Sequence, residues 1–193
     1  MQETSPGPKA GKADWRRWLR RILASIDDPD AQSCRIRSQL VDHLGSHPPR
    51  CIATFSALPG EPALLDLIGT QPDHRWVLPR VIGDELLFHQ IDHPEQLQTG
   101  AFGIAEPPAD LPLVAIEEID LFLCPGLGFD QRGMRLGRGK GFYDRTLTAA
   151  KATAQRIGIA YLEQIVPRIP CDPHDVPMDR IISSNGVITC ENP

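Results

Sequence analysis

The residues with the clearest chemical potential lie in the stretch RGMRLGRGKGFYDR, residues 132–145, which combines four glycines with four arginines and one lysine. Glycine lets a backbone approach a ligand closely, because it has no Cβ atom and tolerates positive φ. Arginine and lysine neutralise phosphate oxygens, and arginine can do so through two parallel hydrogen bonds. A helix is predicted directly after the stretch, and its first N–H groups would add donors. This combination predicts a site for a polyphosphate group.

The glycine spacing differs from that of two common phosphate-binding motifs. A P-loop requires Ser or Thr after its Gly-Lys pair, but Gly141 follows Lys140 here. A dinucleotide fingerprint requires GxGxxG, whereas Gly137, Gly139 and Gly141 form GxGxG. The pattern therefore indicates phosphate binding without identifying the phosphate. The alternative interpretation is a flexible surface hairpin with solvated charges.

Asp144 lies at the start of the predicted helix, where two roles are open to it. It could cap that helix or match the positive end of its dipole. It could also bind Mg²⁺ carried by a nucleotide, a task that suits one or two carboxylates beside phosphates. The position alone favours the first role.

Apolar spacing predicts the elements that position this stretch. Helical spacing that starts at Lys12, and again around Ile36 and Leu40, predicts two N-terminal helices. Strands are predicted over 51–58, 75–82, 85–91, 119–126, 157–162 and 180–188, helices over 63–68 and 143–158, and a loop over 103–112. The alternation predicts an α/β fold with a mostly parallel central sheet flanked by helices. Ligands of such sheets bind beyond the carboxyl ends of the strands, where the glycine stretch falls.

Length and composition narrow the class of protein. The 193 residues predict a single α/β domain over 12–193, after a disordered lead over 1–11 that is rich in Pro, Gly and Ser. A net charge of −5 argues against a nucleic-acid partner, and no apolar run is long enough to predict a membrane partner. The five cysteines form no CxxC pair, which argues against zinc and fits a reducing compartment. We expect a cytoplasmic monomer.

The longer stretch PGLGFDQRGMRLGRGKGFYDR, residues 125–145, closely resembles the signature of the 5-formyltetrahydrofolate cyclo-ligase family, with Phe142 replacing a tyrosine. Weaker similarities extend the resemblance over about residues 12–188; they lie at 12–16, 55–62, 76–81, 102–107 and 163–182. The resemblance implies ATP- and Mg²⁺-dependent cyclisation of 5-formyltetrahydrofolate to 5,10-methenyltetrahydrofolate, with release of ADP and phosphate. ATP and the folate are then the small-molecule partners, and Mg²⁺ is the cofactor.

The resemblance also implies roles for individual residues. Those expected to bind ATP are Lys12, Arg16, Arg135, Leu136, Gly137, Arg138, Gly139, Lys140, Gly141, Phe142 and Tyr143. Those expected to contact the folate are Phe55, Glu61, Arg138, Gly139, Lys140, Gly141 and Phe142, with Glu106 and Tyr143 as further candidates. Asp144 and Asp175 would hold Mg²⁺, and Arg138 and Lys140 would act catalytically on the developing charge.

Without the resemblance, several of these residues have simpler interpretations. Lys12 and Arg16 would belong to a solvated basic helix face, although their spacing of four residues places them together. Glu61 would be an ordinary loop carboxylate, and Asp175 a turn residue. Two other functions also stay open: a kinase-like enzyme for another small amide or carboxylate, and a nucleotide-binding regulatory protein without catalysis.

Overall fold

A β-sheet of eight strands runs through the centre of the protein, with helices packed against it. The computed structural model describes residues 5–7, 9–45, 50–100 and 103–191. Its strands are β1 (Cys51–Ala53), β2 (Arg75–Ile82), β3 (Glu85–Gln90), β4 (Gln98–Thr99), β5 (Ala105–Glu106), β6 (Leu113–Val114), β7 (Leu121–Cys124), β8 (Gly128–Phe129), β9 (Arg135–Leu136), β10 (Gln155–Ala160), β11 (Arg180–Ser183) and β12 (Gly186–Thr189). Its α-helices are α1 (Lys12–Leu23), α2 (Pro29–Gly45), α3 (Asp66–Thr70) and α4 (Phe142–Ala149).

The central part of the large sheet is parallel. Strands follow one another in the order β12-β11-β10-β7-β1-β2-β3-β6, and the five from β11 to β2 run parallel. Antiparallel strands complete both edges, β12 on one side and β3 with β6 on the other. All four residues of β7 are buried, as expected for a strand that is covered on both faces. The predicted α/β class with a mostly parallel sheet is therefore confirmed.

The two N-terminal helices bury the apolar faces that the spacing predicts. These faces join sheet residues such as Ile52 and Leu121 in one core cluster. The buried apolar positions are Trp15, Leu19 and Leu23 on α1 and Ile36, Leu40 and Leu44 on α2. Burial of a Leu or Ile side chain contributes about 1.5–3 kcal/mol. Packing of α1 also fixes the direction of its polar face, which carries Lys12 and Arg16.

The helix predicted over 143–158 is wrong in its second half. Helix α4 ends at Ala149, and Ala150 is already extended. The chain then enters the sheet as β10, which pairs with β7 and β11 in parallel. Pairing on both sides outweighs the local helical preference of this part of the sequence, because β10 pairs with a strand on each side and buries Ile157 and Ile159.

Two other predicted elements differ in extent. Strand β1 stops at Ala53 rather than at residue 58, because the chain leaves the sheet towards a turn at Gly60, whose φ is +82°. Helix α3 begins at Asp66 rather than at residue 63. The backbone of Ala63 is held by α2 instead, through hydrogen bonds with Ser33 and Arg37.

Three short hairpins were not predicted, and β8 with β9 forms one of them. The segment 180–188 forms β11 and β12 around a turn that ends at Gly186, rather than one strand. The predicted loop 103–112 contains β5, which pairs with β4. No helix in the described part of the chain is long and apolar enough to cross a lipid bilayer. The predicted disordered lead lies partly outside the described residues.

Candidate functional site

A pocket of about 590 Å³ lies at the carboxyl ends of the central strands. Phe55 and Glu61 follow β1, Pro125 follows β7, and Val81 lies near the end of β2. Every residue predicted for the site lines this pocket: Lys12, Arg16, Phe55, Glu61, Arg135, Leu136, Gly137, Arg138, Gly139, Lys140, Gly141, Phe142, Tyr143, Asp144 and Asp175. The structure thus brings together residues from α1, from the loop after β1, from the glycine stretch and from the segment before β11.

The residues that line the pocket are of two chemical kinds, which we call the charged half and the apolar half. The charged half contains Lys12, Arg16 and the loop 135–144. The apolar half is walled by side chains from β2, β3 and the loops around β1 and β5; they are Phe55, Pro79, Val81, Leu86 and Ile104. Glu106 also lines the pocket. Such a site suits a ligand that is anionic at one end and apolar at the other.

The loop between β9 and α4 has the exposed backbone that its glycines predict. Gly139 has φ of +108°, a conformation that side chains with a Cβ rarely adopt. The carbonyl of Gly137 accepts a hydrogen bond from Arg16 Nε at 2.9 Å, which ties this loop to α1. The Lys140 side chain is exposed and has no hydrogen-bond or ionic partner among the residues described. The loop therefore presents both backbone donors and a cation at the pocket mouth.

Arg135 is the most deeply buried cation of the charged half. Its side chain is 4% exposed, and its Nη2 donates to Asp144 Oδ1 at 2.8 Å. Its guanidinium carbon lies 5.4 Å from the ring centre of Tyr143, a distance typical of a cation–π contact. The Nε of Arg135 is buried without a hydrogen-bond partner in the described structure. Asp144 and Tyr143 thereby fix the guanidinium at the start of α4.

Arg138 reaches across the pocket to Glu61. Its Nε donates to Glu61 Oε1 at 2.8 Å, and the Glu61 side chain is only 4% exposed. The second carboxylate oxygen of Glu61 accepts the backbone N–H of Leu58, and its carbonyl accepts the Tyr161 hydroxyl. Two partners distant in sequence, Arg138 and Tyr161, and the nearby Leu58 therefore fix Glu61, which the sequence alone left as a possible loop carboxylate.

Lys12 joins α1 to the segment before β11. Its Nζ lies 2.7 Å from Asp172 Oδ2 and 2.5 Å from Asp175 Oδ2. Burial alone would lower the pKa of Lys12, but the hydrogen bonds to these two carboxylates outweigh it and raise that pKa above its ordinary value. The hydrogen bond from Lys12 also lowers the pKa of Asp172. Asp172 was not predicted; the short spacing in CDPHD was the only available signal.

Oxygen ligands suited to Mg²⁺ occur at two places on the wall of the charged half. Asp144 uses Oδ1 to bind Arg135, and its carboxylate lines the pocket. Asp172, His174 and Asp175 offer ligand atoms that all lie within 4.8 Å of one another. Mg²⁺ is bound through one or two carboxylates plus phosphate oxygens, so this donor set fits the cation chemically.

A thiol and a phenol near the pocket have pKa values raised by burial. Burial raises the pKa of Cys124, at the end of β7, to about 12. Burial likewise raises the pKa of the Tyr143 phenol well above its ordinary value. Both groups therefore stay protonated at neutral pH, and the arrangement favours binding and charge neutralisation over covalent catalysis.

Comparison with known proteins agrees with this geometry. The sequence model of the 5-formyltetrahydrofolate cyclo-ligase family matches residues 8–184. The chain belongs to the 5-formyltetrahydrofolate cyclo-ligase family. The family match covers the whole pocket, from Lys12 to Asp175.

Individual relatives in the family differ in how much of their length aligns. The 5-formyltetrahydrofolate cyclo-ligase of Mycolicibacterium smegmatis is 46% identical over 97 residues, so the aligned part of this chain spans half (50%) of that relative's length. The enzyme of the same name from Escherichia coli K12 is 27% identical over 81% of this chain and 92% of its own. The NMR structure of Aquifex aeolicus 5,10-methenyltetrahydrofolate synthetase matches with a TM-score of 0.79 and 29% identity, over 94% of each chain.

Proposed function

We propose that the protein catalyses the ATP-dependent cyclisation of 5-formyltetrahydrofolate to 5,10-methenyltetrahydrofolate. The observation that carries this proposal is that one pocket is lined both by a set of cations and glycines and by a set of apolar side chains. The charged half suits the phosphates of ATP, and the apolar half suits a flat folate ring. The names of the relatives in the family support the same reaction.

The proposed reaction has two steps. First, the formyl oxygen attacks the γ-phosphorus, the bond from this phosphorus to the bridging oxygen breaks, and ADP leaves. Second, N10 of the folate attacks the activated formyl carbon, the carbon–oxygen bond breaks, and phosphate leaves as N10 loses its proton. Phosphoryl transfer depends on positioning and charge neutralisation, so it requires no covalent nucleophile from the protein.

The residues of the charged half have the following proposed roles. Lys12 and Arg16 bind ATP beside the loop, and Arg135 holds the loop against α4. Arg138 and Lys140 act on the phosphoryl group as it transfers, because both carry positive charge at the pocket mouth. Backbone and side-chain contacts with ATP come from Leu136, Gly137, Gly139, Gly141, Phe142 and Tyr143.

The folate is proposed to lie in the apolar half, with its formyl group towards the loop. Phe55 would cover one side of the ring, and Glu61 would border it while orienting Arg138. Because the formyl oxygen must meet the γ-phosphate, residues 138–142 contact both substrates. Asp144 and Asp175 would hold Mg²⁺, which when bound supplies charge neutralisation for the ATP phosphates. A monomeric state, a cytoplasmic location, the absence of nucleic-acid or membrane partners and the disordered lead stay predictions.

A spectrophotometric assay tests the reaction directly. Purified protein is mixed with 5-formyltetrahydrofolate, ATP and Mg²⁺, and formation of methenyltetrahydrofolate is followed in the near ultraviolet. We expect a rise in absorbance that requires both ATP and Mg²⁺. No rise, with ATP binding still measurable by calorimetry, would contradict the proposed acceptor and favour a different small amide or a non-catalytic protein.

Arg138→Ala tests whether the pocket carries the reaction. We expect kcat/KM to fall by about 1,000-fold, because arginines that stabilise transferring phosphoryl groups contribute effects of that order. Arg35→Ala is the matched control, since Arg35 is exposed on α2 and far from the pocket in the fold. Its kinetics should equal those of the wild type. Full activity in Arg138→Ala would show that the reaction does not take place in this pocket.

A further inference from the structure

Glu106 has a buried carboxylate oxygen without a partner. The residue is 3% exposed, and its Oε1 has no hydrogen bond within the described residues. Burying a charged oxygen without a hydrogen bond is costly, and nearly all buried polar atoms in proteins are paired. Because Glu106 also lines the pocket, its oxygen is available to a donor that arrives with a ligand.

The fold holds this side chain in a fixed place. Glu106 pairs with Gln98 in the β4–β5 hairpin, and the adjacent carbonyl of Ala105 accepts a hydrogen bond from the Ser56 hydroxyl at 2.5 Å. The carboxylate packs directly over Gly100, where a Cβ atom would lie 2.2 Å from Glu106 Oε2. The glycine thus leaves the space that the carboxylate fills, so its position is built into the hairpin.

Other acidic groups on the pocket wall are already engaged by cations. Glu61 binds Arg138 and the N–H of Leu58, while Asp144 binds Arg135. Asp175 binds Lys12. In contrast, Oε1 of Glu106 is the buried carboxylate oxygen of this pocket that lacks a protein donor among the described residues.

The surroundings indicate what kind of donor it accepts. Phe55, Val81 and Ile104 make the neighbouring walls apolar, which suits a flat ring. The tetrahydropterin ring of a folate presents an exocyclic amino group beside a ring N–H, two donors that match the two oxygens of a carboxylate. Adenine presents its amino group beside an unprotonated ring nitrogen, which would repel the second oxygen.

We propose that Glu106 is the specificity residue that accepts the amino and ring N–H donors of the substrate's tetrahydropterin ring. This inference rests on the proposed function and goes beyond it by assigning the recognition of the ring to one carboxylate. A buried acceptor that has no donor among the described protein residues gains its hydrogen bonds when the correct ring enters. An analogue that lacks these donors leaves it unpaired, and such sites discriminate strongly.

Steady-state kinetics of Glu106→Gln and Glu106→Leu test the proposal. We expect KM for 5-formyltetrahydrofolate to rise by about 10- to 100-fold, as for a lost hydrogen bond to a charged group, while KM for ATP stays within about twofold. Glu95→Gln is the matched control, because Glu95 is exposed and does not line the pocket. A rise in KM for ATP instead would assign Glu106 to adenine, and unchanged constants for both substrates would overturn the role.

Thermal unfolding of the ligand-free variants separates recognition from a structural role. Because Oε1 of Glu106 has no hydrogen-bond partner among the described residues, Glu106→Leu should unfold at the same temperature as the wild type or higher. A structural role would be indicated if both variants unfolded at a lower temperature and both lost kcat to the same extent. This result would contradict the proposal.

A modified substrate tests the contact itself. The probe is 5-formyltetrahydrofolate with the 2-amino group replaced by methyl. With the wild type, the probe should have a KM higher than that of the normal substrate by about the same factor as Glu106→Leu causes. With Glu106→Leu, the KM values of the probe and the normal substrate should be nearly equal. If the substitution and the probe raised KM independently, so that their factors multiplied, the 2-amino group would contact another residue and the assignment would be overturned.

Binding of tetrahydropterin distinguishes this inference from the proposed function. If the wild type shows no turnover but binds tetrahydropterin, and Glu106→Leu does not, the reaction is wrong while the recognition stands. If turnover occurs and Glu106→Leu binds tetrahydropterin normally, the recognition is wrong while the reaction stands. If the wild type neither turns over nor binds the ring, both are wrong.

Discussion

The polar side chains of the charged half and of the apolar half differ in whether they already have partners within the protein. In the charged half, the acidic side chains of Asp175, Asp144 and Glu61 form ion pairs with Lys12, Arg135 and Arg138. In the apolar half, Glu106 is held by the pairing of β5 with β4, and its buried Oε1 has no hydrogen-bond partner among the described residues. Ligand binding must therefore exchange existing ion pairs on one side and complete a missing hydrogen bond on the other.

This difference predicts different costs of mutation. Removing one member of a buried ion pair leaves its partner desolvated, so both stability and activity should fall. Removing an unpaired acceptor should affect recognition without destabilising the protein. The two halves can thus be told apart by measuring unfolding and kinetics on the same variants.

The largest effect is expected at the buried pair between Arg135 and Asp144. Arg135→Ala should lower the free energy of unfolding by about 3 kcal/mol, since it removes one partner of a mostly buried pair. It should also lower kcat/KM by about 1,000-fold, because the loop before α4 loses its anchor and a cation. Urea denaturation and the absorbance assay measure the two effects.

Arg17→Ala is the matched control for this pair. Arg17 forms an ion pair with Asp14 on α1, but its side chain is 73% exposed. Exposed pairs contribute about 0–1 kcal/mol, so stability and kinetics should stay close to those of the wild type. If Arg17→Ala and Arg135→Ala lost equal amounts of stability and activity, burial would not explain the importance of the Arg135 ion pair.

A smaller effect is expected at Lys12, which bridges α1 and the segment before β11. Lys12→Met keeps the length of the side chain and removes its charge. We expect KM for ATP to rise by about 20-fold, as for the loss of a charge-assisted hydrogen bond to phosphate, with little change in KM for the folate. The control is Lys9→Met, because Lys9 is exposed and does not line the pocket. If Lys12→Met changed only the KM for the folate, the charged half would bind the folate rather than ATP.

The pH dependence of the Lys12 contribution follows from two shifted groups. The pKa of Lys12 is raised above 10.5, so its contribution to stability is complete below that pH and is lost as pH rises through the folded-state value. The pKa of Asp172 is lowered below 3.8, so its contribution is complete above that pH and is lost as pH falls through the folded-state value. The stability difference between wild type and Lys12→Met should therefore be constant from about pH 6 to 9. A slope within this range would contradict the pairing.

The charged half could be predicted from the sequence, and the apolar half only in part. Glycines and cations of the charged half are contiguous between Arg135 and Asp144, so local chemistry indicates their purpose. The position of the Glu106 carboxylate depends on Gly100, which the β4–β5 hairpin brings next to it, and on Ser56, which bonds the neighbouring Ala105. Burial and pairing of this kind are properties of the tertiary structure.

The strands and helices also show that local sequence cannot predict what depends on tertiary structure. Strand β2 has the predicted bounds because its apolar and β-branched residues favour a strand locally. The segment after Ala149 favours a helix locally and forms β10 instead, because the sheet offers it a partner on each side. Local preference predicts an element only where tertiary pairing agrees with it.

The smallest effect is expected where Ser56, in the loop after β1, is hydrogen-bonded to β5 beside the apolar half. Its hydroxyl donates to the carbonyl of Ala105, the residue before Glu106, and a single neutral hydrogen bond contributes about 1 kcal/mol. Ser56→Ala should therefore raise KM for 5-formyltetrahydrofolate by about fivefold and leave KM for ATP unchanged. Ser25→Ala is the control, because Ser25 makes a similar bond to the carbonyl of Ile22 away from the pocket. If Ser56→Ala raised both KM values equally, the hairpin would support the whole pocket, and the two halves would not be independent.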